Sequence, residues 1–242
     1  MIWLRSLVYF VAMTLSIVVA TLAIWACRPF MPFPRLSRLA NAWGLANLWL
    51  LKVICGLDYH MKGAGHLRRE GGYIVLAKHQ STWETLSLRG LLPPPQVWVL
   101  KRELLWVPFF GWALIPFHPI AIDRKAGRKA IRQVIEEGQA ALDQGRVVVI
   151  FPEGTRTAPG AKGHYGTGGA LLAEKSGYPV VPIAHNAGVF WHRRGLKKYP
   201  GTIQVEVGEP MDPRGLKAKE INQRVEEWIE TRVAAMPQSP EG

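Results

Sequence analysis

Cysteine is scarce in this chain of 242 residues: only Cys27 and Cys55 occur, both inside apolar stretches that read as helices. A disulfide framework or a cysteine-ligated zinc site has no material, and the usage points to a reducing compartment. Metal-ligand spacing is missing as well. No H-E-x-x-H or C-x-x-C is present, and His118, His164 and His185 do not stand at ligand spacing, so no metal is expected. There is no G-x-S-x-G elbow to carry a serine nucleophile, no nucleic-acid motif and no internal repeat. Acidic residues are outnumbered, with 18 Asp and Glu against 30 Lys and Arg, and the formal charge of +12 implies polyanionic company. An anionic lipid surface and phosphorylated metabolites fit that charge, and nucleic acid is set aside with its motifs.

Tryptophan is abundant, with ten residues, and Trp3, Trp25, Trp43 and Trp49 crowd the amino-terminal quarter as interfacial anchors do. Between Arg5 and Arg28 runs "SLVYFVAMTLSIVVATLAIWAC", without charge or proline and long enough to cross a hydrocarbon core. A cleaved signal peptide would have a shorter apolar region, so a retained anchor is expected. The proline-broken basic elbow "RPFMPFPRLSR" (28–38) leads into "LANAWGLANLWLLKVICGL" (39–57). There Leu39, Trp43, Ala46, Leu50, Val53, Ile54 and Leu57 fall on one helical face, and Asn41, Gly44, Asn47 and Lys52 soften the other. This second helix could span or lie in the interface, and the short elbow favours the interfacial arrangement. By the positive-inside bias Arg28, Arg35 and Arg38 face the cytoplasm, and the rest of the chain follows them.

After Gly56 the texture changes. The segments 73–79, 97–104, 118–124, 146–154, 178–188 and 202–210 read as strands, several buried on both faces. Helices are expected at 82–92, 168–176, 217–235 and in "RKAIRQVIEEGQAALDQG", which puts Ile131, Val134, Ile135 and Leu142 on one face and stops at Gly145. The pattern predicts an α/β fold, a mostly parallel sheet flanked by helices, preceded by a membrane-embedded segment of two helices. The boundaries follow: 1–57 for the membrane segment, 58–236 for the α/β domain, 237–242 for a disordered tail.

Three polar clusters sit where strands give way to loops, the usual place for chemistry in such sheets. His79 is the acid/base candidate, with Glu84 as the carboxylate that fixes its tautomer. Five residues apart, the two meet only if His79 precedes the helix and Glu84 lies in its first turn, with Ser81 or Thr82 as N-cap. Ser81 to Glu84 is equally an S-x-x-E capping box, in which the glutamate bonds backbone N–H groups and does no chemistry. Spacing leaves both readings open. In "FPEGTR" (151–156), Gly154 allows close backbone approach, Thr155 offers a hydroxyl and Arg156 a planar fork for phosphate. Arg124 after "AID" is a second phosphate candidate, and Lys101 with Arg102 a third.

Together these residues resemble the glycerophospholipid acyltransferase family, in particular the bacterial 1-acyl-sn-glycerol-3-phosphate acyltransferases. "KHQSTWET" resembles the family's H-x4-D/E block, "HPIAIDR" the second block, "FPEGTR" the third and "VVPIAHNAG" the fourth, in order from about Tyr73 to Pro210. The resemblance implies acyl transfer from acyl-CoA or acyl carrier protein to the sn-2 hydroxyl of lysophosphatidate. It further implies His79 as general base, Glu84 as its orienter, and Arg124, Glu153, Gly154, Thr155 and Arg156 as the glycerol-phosphate site, with Pro182 shaping the fourth block. No cofactor is implied, and the place is the inner membrane of a bacterium with the catalytic domain facing the cytoplasm. Two departures stand out. The first block carries Glu84 where Asp is commoner, and Gly166 stands where relatives often have lysine, with Lys162 as the nearby candidate substitute.

Overall fold

The computed structural model describes residues 1–67 and 71–240. Two long helices, α1 (Ile2–Cys27) and α2 (Phe33–Cys55), precede β1 (Leu57–Lys62), β2 (Tyr73–Ala77) and α3 (Trp83–Leu91). Then come β3 (Gln96–Lys101), α4 (Phe110–Leu114), β4 (Ile120–Ile122), α5 (Arg128–Asp143) and β5 (Val147–Ile150). The chain closes with α6 (Gly168–Ser176), β6 (Val180–His185), α7 (Ala187–Phe190), β7 (Gly201–Val207) and α8 (Ala218–Ala235).

The seven strands form one sheet in the order β1-β7-β6-β2-β5-β3-β4. The expected mostly parallel α/β sheet is present: β6 against β7 is the antiparallel step, and every other pairing is parallel. The central strands are covered on both sides, which explains their unbroken apolar runs. Along β2 the side chains alternate. Tyr73, Val75 and Ala77 join a core with Leu48, Leu51 and Trp83 of α2 and α3, and Ile74 and Leu76 join one with Val134, Leu172 and Ile229 of α5, α6 and α8.

The amino-terminal helices are therefore part of the covering layer. Thr21 Oγ1 of α1 donates to Phe109 O (3.0 Å), Trp25 Nε1 to Trp112 O (3.0 Å), and Ser6 Oγ accepts the Lys198 N–H (2.9 Å). The other side of α1 is bare: Leu4, Leu7, Val8, Val11, Leu15, Val19 and Leu22 are all exposed. Among the described residues α1 is the one helix long and apolar enough to cross a membrane, by length and composition.

α2 packs inward through the side that its apolar pattern left softened, while Trp43, Leu50 and Ile54 of the apolar side also pack partly against the core. Asn41, Gly44 and Asn47 face inward, and Val53 and Trp49 face out. The reason is close packing. A methyl on Gly44 would lie 2.7 Å from Gly90 N, and one on Gly90 2.8 Å from Leu45 N, so α2 and α3 meet backbone to backbone. Asn41 Nδ2 crosses that contact to donate to Leu92 O at 2.7 Å. Of the expected disordered tail, Glu241 and Gly242 lie outside the described residues; Pro237 O accepts from Asn186 Nδ2 and Gln238 Nε2 donates to Val233 O.

Candidate active site

The carboxyl ends of β2, β3, β4 and β5 converge on one edge of the sheet, as expected for such folds. Leu76 and Ile150 are register partners, so the segments that follow them leave the sheet side by side. His79 accordingly stacks on Phe151, with ring centroids 4.2 Å apart and planes at 16°. Its backbone is clamped from the same side, since His79 N–H donates to Glu153 Oε2 (2.8 Å) and Thr157 N–H to His79 O (2.9 Å).

His79 and Glu84 do meet: Nδ1 lies 2.8 Å from Glu84 Oε1, with the glutamate side chain fully buried and the imidazole 13% exposed. The same carboxylate accepts the N–H of Gln80 (2.8 Å) and of Ser81 (2.7 Å). One side chain thus fills the capping role and the histidine contact together, and Thr82 stands at the N-cap position of α3 with Ser81 Oγ accepting from Trp83 N–H. Burial pushes against ionisation of Glu84, but the His79 ring and the backbone donors outweigh it and hold the carboxyl below its usual pKa. A carboxylate can only accept, so Nδ1 carries the proton and the lone pair of His79 sits on Nε2.

Two neighbours complete this turn, and neither carries a sequence signal of its role. His185 lies within 4.0 Å of Glu84 from the far side. Its Nδ1 accepts from Ala187 N–H, which leaves Nε2–H to donate to Lys78 O at 2.9 Å, and burial lowers its pKa against the pull of Glu84. Lys78 is wholly buried. Its ammonium bridges Glu153 Oε1 (2.9 Å) and Glu230 Oε1 (2.7 Å), tying the turn before α3 to α8.

The remaining sequence-predicted residues divide. Lys101, Arg124, Gly154, Thr155 and Arg156 line one cavity of about 250 Å³ with His79, and Arg193 and Arg194 join them. Glu153 is directed elsewhere: its carboxylate is taken up by Lys78, His79 N–H, Thr157 Oγ1 and Gly163 N–H. Pro182 lies in the buried strand β6, its carbonyl accepting from Gly208 N–H beneath Trp228 of α8. Lys162 points away as well, paired with Glu226 at 2.6 Å. Two larger cavities also reach His79. One of about 330 Å³ runs between α1, α2, α3 and α4, and one of about 390 Å³ runs toward α5 and α6, lined in part by Gly166. Among the described residues no group of three or more His, Cys, Asp or Glu could hold a metal ion.

A basic pocket flanked by two mostly apolar cavities, with a histidine common to all three, suits an enzyme that handles amphiphilic anions. Residues 58–186 match the family model described as Acyltransferase, and the chain belongs to that family. It is 41% identical over 235 residues, 96% of its length and 91% of the relative's, to the 1-acyl-sn-glycerol-3-phosphate acyltransferase of Pseudomonas aeruginosa. The enzyme of that name from Cocos nucifera is 26% identical over 95% of this chain and 74% of its own. The crystal structure of the 1-acyl-sn-glycerophosphate (LPA) acyltransferase PlsC from Thermotoga maritima shares the fold, with TM-score 0.80, 22% identity and 96% and 94% of the two chains covered.

Proposed function

We propose that this chain transfers a fatty acyl group from acyl-CoA or acyl carrier protein to the sn-2 hydroxyl of 1-acyl-sn-glycerol-3-phosphate, giving phosphatidate. The observation that carries the reading is the placement of His79 at the junction of a cationic pocket and two apolar cavities. Lysophosphatidate has a phosphate for the first and a chain for one of the others. Arg124 and Arg156 hold the phosphate by charge-assisted hydrogen bonds, with Lys101, Gly154 and Thr155 around it. Glu153 and Pro182 act on the pocket indirectly, the first by fixing the His79 backbone and the second through the packing of β6 under α8.

His79 Nε2 takes the proton of the acceptor hydroxyl as its oxygen attacks the thioester carbonyl. Backbone N–H groups stabilise the oxyanion, the C–S bond breaks, and the leaving thiolate recovers the proton from His79, with no acyl-enzyme. Glu84→Gln is expected to lower kcat by about 100-fold, because the amide places an N–H where Ser81 N–H or the imidazole now donates. Equal turnover by Glu84→Gln in a purified-enzyme assay would leave Glu84 a capping residue only.

The bare apolar side of α1, with exposed Trp3, Trp25, Trp106 and Trp112, supports attachment to a membrane. In this reading residues 1–57 form the membrane-facing layer and 58–236 the acyltransferase domain. Arg28, Arg35 and Arg38 support a cytoplasmic orientation at a bacterial inner membrane, where anionic lipid meets the basic surface. The test is acceptor choice: membranes containing the chain are offered lysophosphatidate and lysophosphatidylcholine in parallel with a labelled acyl donor. Label in phosphatidate is expected. Label confined to the choline lipid overturns the assignment in favour of another lysophospholipid acceptor.

A further inference from the structure

Arg89 is the anomaly of the apolar cavity between α1, α2, α3 and α4. It is only 7% exposed, and its guanidinium makes no hydrogen bond or ion pair to any described residue, with Nη1 fully enclosed. It lines the cavity that reaches His79 and also a smaller apolar recess of about 50 Å³ behind it, walled by Ile17, Ala20 and Ile24 of α1 and Ala40 of α2. The ring of Phe117 covers it at 4.7 Å and that of Trp98 lies at 5.8 Å. Such contacts engage the π-face of a guanidinium, whereas its five N–H groups point outward in the plane. Those in-plane donors are unspent. Burial lowers its pKa to about 10, so Arg89 is still a cation at neutral pH. A charge so placed costs free energy that folding alone does not recover.

The position along the cavity says what kind of ligand would meet it. Thr82, Thr85, Leu86 and Arg89 line the cavity at i, i+3, i+4 and i+7, one face of α3, with Thr82 at the His79 end. Arg89 therefore stands two turns, about 10 Å, farther in. That is well beyond the thioester carbon and its immediate neighbours, and within reach of the middle or far end of a fatty chain.

We infer that the cavity between α1, α2, α3 and α4 takes the donor chain and that Arg89 forms a polar subsite in it, which selects chains bearing an acceptor oxygen, a hydroxyl or a carboxyl group, at an interior or terminal carbon. The proposal rests on the acyl-transfer reading above and names its donor chemistry. A plain methylene chain passing Arg89 displaces solvent from a cation and returns no hydrogen bond; an oxygenated one returns a charge-assisted bond. Sites built to bond a substrate oxygen discriminate strongly against analogues that lack it.

The test uses the purified full-length chain, lysophosphatidate as acceptor, and three CoA thioesters of one chain length: unsubstituted, mid-chain hydroxyl and terminal carboxyl. The native enzyme is expected to show kcat/KM about tenfold higher or more for one oxygenated donor, a margin of one charge-assisted bond, and which one wins separates hydroxyl from carboxylate. In Arg89→Met the order reverses in favour of the unsubstituted chain, and in Arg89→Lys part of the preference survives. A native ratio near one, or an unchanged preference in Arg89→Met, overturns the subsite. If Arg89→Met does not fold, the native ratio decides by itself. Absence of transfer from every donor instead removes the acyl-transfer reading and the subsite with it.

Discussion

Replacing His79 with alanine is expected to remove acyl transfer, lowering kcat by about 10²–10⁴-fold, while the protein folds and binds membrane as before. The two halves of that expectation have separate grounds. The loss follows from the geometry of Nε2, the one basic lone pair at the meeting of the three cavities. The retention of structure follows from Glu84, whose carboxylate keeps the Gln80 and Ser81 N–H donors after the imidazole is gone. No buried charge is left without a partner, and the vacated ring had stacked on Phe151 at the cavity wall. The measurement is steady-state turnover beside a thermal melt. Undiminished turnover sinks the mechanism; a collapsed melt shows that the ring also holds the turn together.

Lys78→Met is expected to act the other way, on stability first, by about 3–5 kcal/mol. Methionine fills similar volume but leaves the buried carboxylate of Glu153 and that of Glu230 facing each other without a cation. Tyr165 Oη donates to Glu230 Oε1 at 2.7 Å and cannot neutralise it. The strain then reaches the reaction centre, since Glu153 also holds the His79 N–H. Adding Glu230→Gln to Lys78→Met should recover part of the loss, because Glu153 still has three other donors. Chemical denaturation of the native chain and both variants measures this. A loss under about 1 kcal/mol for the single variant would place Lys78 among surface-like pairs, whose worth is of that order.

The alternation of strands and helices was legible because period-2 and period-3.6 apolar patterns are local. The meeting of His79 with Glu84 was legible only as one of two open readings, since a strand end and a first helical turn permit both the histidine contact and the capping box. Glu230 was not legible: it is brought to Lys78 by the docking of α8, and a glutamate on a helix reads as a solvated charge. β1 was missed because Leu57–Lys62 mixes Asp58, His60 and Lys62 into an edge strand with little apolar signal. Which side of α2 packs inward was not legible. Hydrophobic periodicity marks an apolar face but does not say on which side a helix packs against its neighbours. Close packing then decides, and it favours the small and amide side chains of Gly44, Asn41 and Asn47.

The contact of Gly44 with Gly90 also has an evolutionary consequence. A methyl at either position would lie within 3 Å of backbone on the facing helix and forces the helices apart, so neither glycine can be exchanged alone without a compensating shift of a whole helix. Mechanically, α2 and α3 are fastened as one plate, and α3 carries Glu84 in its first turn. A displacement of α2 is therefore passed directly to the helix whose first turn orients His79.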